Sequence, residues 1–126
     1  MKRDMELIRK ILFTIEDKYV DVWLHSDDIP MDGYDLETIS YHCAILHEAA
    51  LLSEYKAQYA SDHLYYFGVG RLTWEGHELL DKIRSDTVWN KTTNTIREKG
   101  IPFVLDAVKE IATSITAAMI TATIKG

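Results

Sequence analysis

The side chains with the most chemistry in this chain sit in one run, Ser40-Tyr41-His42-Cys43, with His47 five residues beyond His42. Two histidines and a thiol so close together invite a metal reading. On a helix, however, His42 and His47 point about 140° apart, whereas two ligands on one helix need a spacing of three or four residues. Cys43 falls on the apolar face and reads as a small core residue. As the single cysteine, it permits neither a disulfide framework nor a multi-cysteine zinc site, and it suits a reducing compartment. His77 and Asp81 stand at i and i+4, an exposed helix pair able to share a hydrogen bond. Gly68-Val69-Gly70 lacks the rest of a phosphate loop and suits a strand that bends or takes a close neighbour. There is no Gly-x-Ser-x-Gly elbow and no cysteine with an obvious base. The expectation is a protein without catalysis, cofactor or metal.

The whole chain has 126 residues, of which 47% are apolar and 27% charged, ordinary values for one globular domain. Fourteen Lys and Arg against twenty Asp and Glu leave a net charge of −6. That excludes a protein that coats its whole surface in positive charge to hold nucleic acid. The opening Met1-Lys2-Arg3-Asp4 has no apolar signal core behind it, so a cytoplasmic location is expected. The longest uncharged run, Ile111 to Ile124, is fourteen residues and includes four threonines and one serine. A membrane span needs roughly 20 predominantly apolar residues, so no membrane association is expected.

The periodicity predicts the elements that position these residues. Met5, Ile8, Ile11, Leu12, Ile15 and Tyr19 make one face of a first helix, with Asp4 as its N-cap. Val20 to His25 is β-branched and aromatic and predicts a short strand. Pro30 and Gly33 then place residues 27–33 in a loop, which leaves room for at most one helical turn. Asp35 caps a second helix from Leu36 to about Leu52, with Ile39, Cys43, Leu46 and Ala50 on its apolar face and Glu37, Tyr41, Ala44 and Glu48 opposite. Two tyrosine-rich stretches, 52–59 and 64–69, predict a hairpin with a four-residue tip. Thr73 caps a helix to about Arg84, Asp86 caps its continuation to Gly100, and Pro102 stands near the first position of a last helix. In that helix Val104, Val108, Ile111, Ile115, Ala118 and Ala122 form a heptad-like seam.

Two segments carry a resemblance. Ile39 to Leu52 resembles the recognition helix of bacterial winged-helix regulators of the MarR and ArsR types. Arg71-Leu72-Thr73-Trp74-Glu75-Gly76-His77-Glu78-Leu79-Leu80 resembles the segment joining their second wing strand to the next helix. Over residues 1 to 112 the chain is more similar to an uncharacterised family of bacterial and prophage proteins. The carrying segments there are MKRDMELIRKIL at the start, ISYH, the Leu72-Thr73-Trp74-Glu75-Gly76-His77-Glu78 run and Asp86-Thr87-Val88-Trp89. It is more distantly similar to the YjcQ-like winged-helix proteins. The resemblance implies an α+β, mostly helical winged helix over residues 1–86, with a C-terminal helical extension over 87–126.

It also implies a regulator-like role with DNA binding, in which Ser40, Tyr41 and His42 face base edges and Lys56 and Arg71 meet phosphate. Charge argues the other way. No Lys or Arg lies between Lys18 and Lys56, while Asp21, Asp27, Asp28, Asp32, Asp35, Glu37, Glu48 and Glu54 sum to −8 there. Phosphate contacts supply most DNA affinity and need cations on the docking face. The alternative is a protein adaptor whose surface around Glu37, Tyr41 and Glu48 meets a basic partner. Tyr55, Tyr59, Tyr65 and Tyr66 crowd the hairpin, and one small core cannot bury both faces of a two-stranded ribbon. Exposed tyrosines beside acids suit a protein interface. The seam from Val104 to Ala122 predicts a homodimer, with folding back onto the domain as its competitor.

Overall fold

The computed structural model describes residues 1–125. The chain is α+β, with five helices and one three-stranded antiparallel sheet among the described residues. It forms two compact units, Met1–His77 and the part from Glu78 onward.

In the first unit, helix α1 (Met5–Lys18) starts where the Asp4 carboxylate accepts from the Leu7 N–H at 3.1 Å. Leu7, Ile11, Leu12 and Ile15 on α1 are fully buried, the three-and-four spacing putting them on one face. The expected strand over 20–25 shrinks to β1 (Leu24–His25) because Val20 and Val22 point into solvent. A single 3-10 turn, Ser26–Asp28, follows, closed by reciprocal bonds between His25 and the Asp27 and Asp28 positions. Helix α2 (Leu36–Glu48) is capped by Asp35, whose carboxylate accepts from Thr38 N–H at 2.8 Å. It ends four residues earlier than the apolar pattern suggests. Ala50 takes φ +62°, the Ala50 N–H reaches the His47 carbonyl and the Leu51 N–H reaches that of Leu46. This is a left-handed helix stop, so Ala50 leaves the apolar face and is exposed.

Strands β2 (Tyr55–Ala60) and β3 (His63–Val69) form the hairpin, and the sheet order is β1-β3-β2. The tip is two residues rather than four. Ser61 and Asp62 take φ +50° and +69°, the primed turn that matches strand twist, and Ala60 pairs with His63. Phe67 and Val69 face inward and are fully buried. Beyond β3, Leu72 pairs with Leu52 in one further bridge. Thr73 then starts helix α3 (Trp74–Ile83), its hydroxyl accepting from the Gly76 N–H at 3.1 Å and donating to the Ala50 carbonyl at 2.6 Å.

In the second unit, Leu79, Leu80 and Ile83 at the end of α3 are buried. Ser85, rather than Asp86, caps helix α4 (Asp86–Glu98), its hydroxyl accepting from the Val88 N–H at 3.2 Å. Gly100, at φ +64°, stops it. Trp89 is buried, with the Phe103 ring 6.1 Å away. Helix α5 (Leu105–Lys125) begins three residues after Pro102, whose carbonyl instead accepts from the Val104 N–H. The expected seam divides accordingly. Val104 precedes the helix, Val108 is fully buried within its own chain, Ile111 and Ile115 are half-buried, and Ala118 and Ala122 are exposed. Taken whole, α5 is long and apolar enough to cross a membrane by length and composition alone, although its central uncharged run is shorter than a span.

A network between Asp4, Tyr34 and His42 closes α1 onto α2. The Tyr34 hydroxyl donates to the Asp4 carboxylate at 2.7 Å, and the Asp4 N–H donates to His42 Nε2 at 2.8 Å. Burial raises the Asp4 pKa, but bonds from the Tyr34 hydroxyl and the Leu7 and Glu6 amides outweigh it and hold the carboxyl below its ordinary 3.8. A folded value below the unfolded one adds stability that is complete above the ordinary carboxylate range and fades as pH falls through the folded value. Asp4→Asn, which keeps a capping side chain, is therefore expected to unfold more easily than wild type at pH 7. The gap should narrow as pH falls through and below the ordinary carboxylate range, as followed by urea titrations at each pH. Cys43 is fully enclosed and burial pushes its thiol up to about 12. It should resist iodoacetamide in the folded protein at pH 8 and react at once in denaturant.

Candidate functional site

A groove of about 310 Å³ lies between the outer face of α2 and the end of the hairpin. Glu37, Tyr41 and Ala44 form its helix wall, and Tyr55, Tyr59 and Leu64 its strand wall, with Asp62 and His63 at the rim. The hairpin register explains the strand wall. Alternation along β2 puts Tyr55, Ala57 and Tyr59 on one face, and an irregularity between Gln58 and Tyr59 sets Leu64 rather than Tyr65 opposite Tyr59. Tyr59 is 60% exposed and Tyr41 37%. At the floor, the Ser40 hydroxyl and the Tyr55 hydroxyl are 2.6 Å apart. Burial raises the Tyr55 pKa, with the Ser40 bond opposing it. Glu37, Tyr41 and Glu48 are all exposed and spaced four and seven residues apart, one acidic stripe along α2.

The residues expected to read DNA are distributed differently. Ser40 is buried and engaged with Tyr55, and His42 is completely buried. The His42 ring donates from Nδ1 to the Thr38 carbonyl at 2.8 Å and accepts the Asp4 N–H at Nε2. Neither nitrogen is left for a base edge or a metal, so the expectation that His42 faces a ligand is corrected; Ser40 lies at the groove floor with its hydroxyl bonded to Tyr55. Of that trio only Tyr41 is on the surface, its ring edge-on to His42. Lys56 lies on the opposite face of the hairpin from the groove. It lines a second hollow of about 370 Å³ with Trp23, Gln58, Tyr66 and Gly68. There Trp23 covers Gly68 so closely that a Cβ at that position would stand 2.9 Å from the indole ring. Arg71 is exposed, and its guanidinium donates to the Leu72 carbonyl at 3.2 Å. Tyr41 and Lys56 therefore line different hollows.

Tyr55, Asp62 and His63 belong to the groove, although the sequence marked Tyr55 only as one ring among several. Tyr55 and Tyr59 share a face by simple alternation, whereas the placing of Leu64 opposite Tyr59 depends on a strand irregularity that has no local sequence mark.

This α+β chain belongs to the DUF2513 family, described as hypothetical protein, whose model matches residues 2–102. A relative in Haemophilus influenzae, strain Rd, called an uncharacterized protein, is 40% identical over 122 residues; the match covers 95% of this chain and 99% of that one. No solved structure matches.

The Ser40–Tyr55 bond joins groove floor to helix. Tyr55→Phe leaves a buried serine hydroxyl without its partner and should cost about 1 kcal/mol or more in chemical denaturation. Adding Ser40→Ala to it should cost less than the two single losses summed, the mark of a direct bond.

Proposed function

We propose that the protein is a regulator-like, non-enzymatic winged-helix adaptor of the cytoplasm, and that its α2–hairpin groove binds a basic segment of a partner protein. The winged-helix reading is supported by the order helix, strand, helix, hairpin, helix and by the sheet order β1-β3-β2. In that reading α2 is the recognition helix, and the turn at Ser26–Asp28 stands where a positioning helix is usual.

The observation that carries the choice of partner is the charge of the exposed side of α2. It presents Glu37, Tyr41 and Glu48, with Asp62 across the groove and no Lys or Arg anywhere between Lys18 and Lys56. A phosphate backbone laid along this side of α2 meets carboxylates and no Lys or Arg of that stretch, with Met1 at the groove the one residue bearing an amine. A lysine or arginine side chain meets carboxylates at the rim and tyrosine faces on the walls, which together favour a cation. A groove of this size accepts one or two side chains of an extended segment rather than a folded surface.

Binding to a fluorescent arginine-rich peptide and to random-sequence duplex DNA, each across about 50 to 200 mM salt, separates the readings. The peptide should bind at low salt and lose most of its affinity on Glu37→Lys with Glu48→Lys, while Lys56→Ala and Arg71→Ala leave it unchanged. Salt-dependent duplex binding that weakens on Lys56→Ala and Arg71→Ala would overturn the adaptor reading in favour of DNA.

A further inference from the structure

Helix α5 is longer than anything beside it in its unit can cover. Its 21 residues rise about 32 Å, whereas the 13 residues of α4 rise about 20 Å. The mismatch appears directly as exposure. Both fully buried positions on α5, Val108 and Ala112, lie in its first half, and every residue from Ala117 to Lys125 is exposed. That end is apolar and uncharged up to Lys125, with Met119 at 38%, Ile120 at 54% and Ile124 at 79% exposure. Beside it runs an open groove of about 430 Å³, lined by Val88, Thr116, Met119 and Ile120 and edged by Asp81 and Lys82.

We infer that this end of α5 is a self-association surface whose occupant is the same segment of a second copy of the chain. Met119, Ile120 and Ile124 are at once an exposed apolar ridge and one wall of the groove, a patch able to meet its own copy. That is what a two-fold, self-complementary interface requires. The charges agree. Residues 111–124 are neutral in a chain of net charge −6, so two copies can approach here without the repulsion their other surfaces carry.

A bilayer is a poorer occupant. The neutral run of fourteen residues rises about 21 Å against a hydrocarbon core of about 30 Å. Asp106, Lys109 and Glu110 occupy the helix's opening turns, and α5 has no tryptophan or tyrosine to anchor at an interface. The surface differs from the seam expected from periodicity: Val108 is already used within the chain, and Met119, Ile120 and Ile124 take its place.

The test is the mass of the full chain by light scattering after gel filtration, without detergent, over a dilution series. The expected result is a shift from 14.5 kDa toward twice that value as concentration rises. Ile120→Asp should weaken the association about tenfold or more, with the far-UV circular dichroism unchanged. A wild-type chain that stays monomeric throughout overturns the inference, as does an Ile120→Asp chain that associates like wild type. Uptake by phosphatidylcholine–phosphatidylglycerol vesicles with no dimer in solution would also overturn it, assigning the segment to lipid. None of these readings touches the α2 groove, so they stand apart from the adaptor hypothesis.

Discussion

One threonine holds the geometry of the α2–hairpin groove. Thr73 donates its hydroxyl to the Ala50 carbonyl, accepts the Gly76 N–H and gives its own N–H to the Leu51 carbonyl. The end of α2, the exit from β3 and the start of α3 are thereby fixed at one point. Gly76 is part of the same knot, because a Cβ there would collide with the Leu51 carbonyl oxygen. The left-handed turn at Ala50 is the strained element the knot must hold, since an alanine has no intrinsic preference for positive φ. With α2 stopped and tied here, its outer face is aimed at the hairpin and the groove has a fixed width.

This makes the Leu72-Thr73-x-x-Gly76 segment a structural motif first. It joins a strand to a helix by capping the helix and bringing its backbone against the preceding turn, and neither task involves a ligand. A resemblance resting on this segment therefore speaks to fold far more than to function.

How much could be read without coordinates follows from sequence distance. The caps at Asp4, Asp35 and Thr73 were legible because each bond spans three residues. Where two capping residues stand side by side, as at Ser85 and Asp86, local pattern has no means to choose between them. Pro102 misled for a related reason. Its preference for the first helical turn is real, but the chain leaving Gly100 takes three more residues to form a helix. The two-residue tip escaped notice because Ser61 and Asp62 carry the positive φ usually marked by glycine. The long-range partners of Ser40 and His42 were not legible, since these are Tyr55, fifteen residues away, and Asp4, thirty-eight away. The acidic stripe, in contrast, was legible from charge alone, because the outer face of a helix follows from its period once one buried residue is known.

The placement of His42 decides more than local stability. A histidine at the start of a recognition helix is worth most to a DNA-binding protein when its ring is free to reach a base. Here the same ring seats α1 against α2, with both nitrogens bonded and no exposure to water. Turning it outward would leave the Asp4 amide and the Thr38 carbonyl without these bonds, costing about 1–3 kcal/mol for each group left unsatisfied. A groove contact would have to return that energy before adding any affinity. What α2 leaves outside is Glu37, Tyr41 and Glu48. Their charge attracts cations and repels phosphate, which is the physical ground for proposing a basic protein segment as the partner.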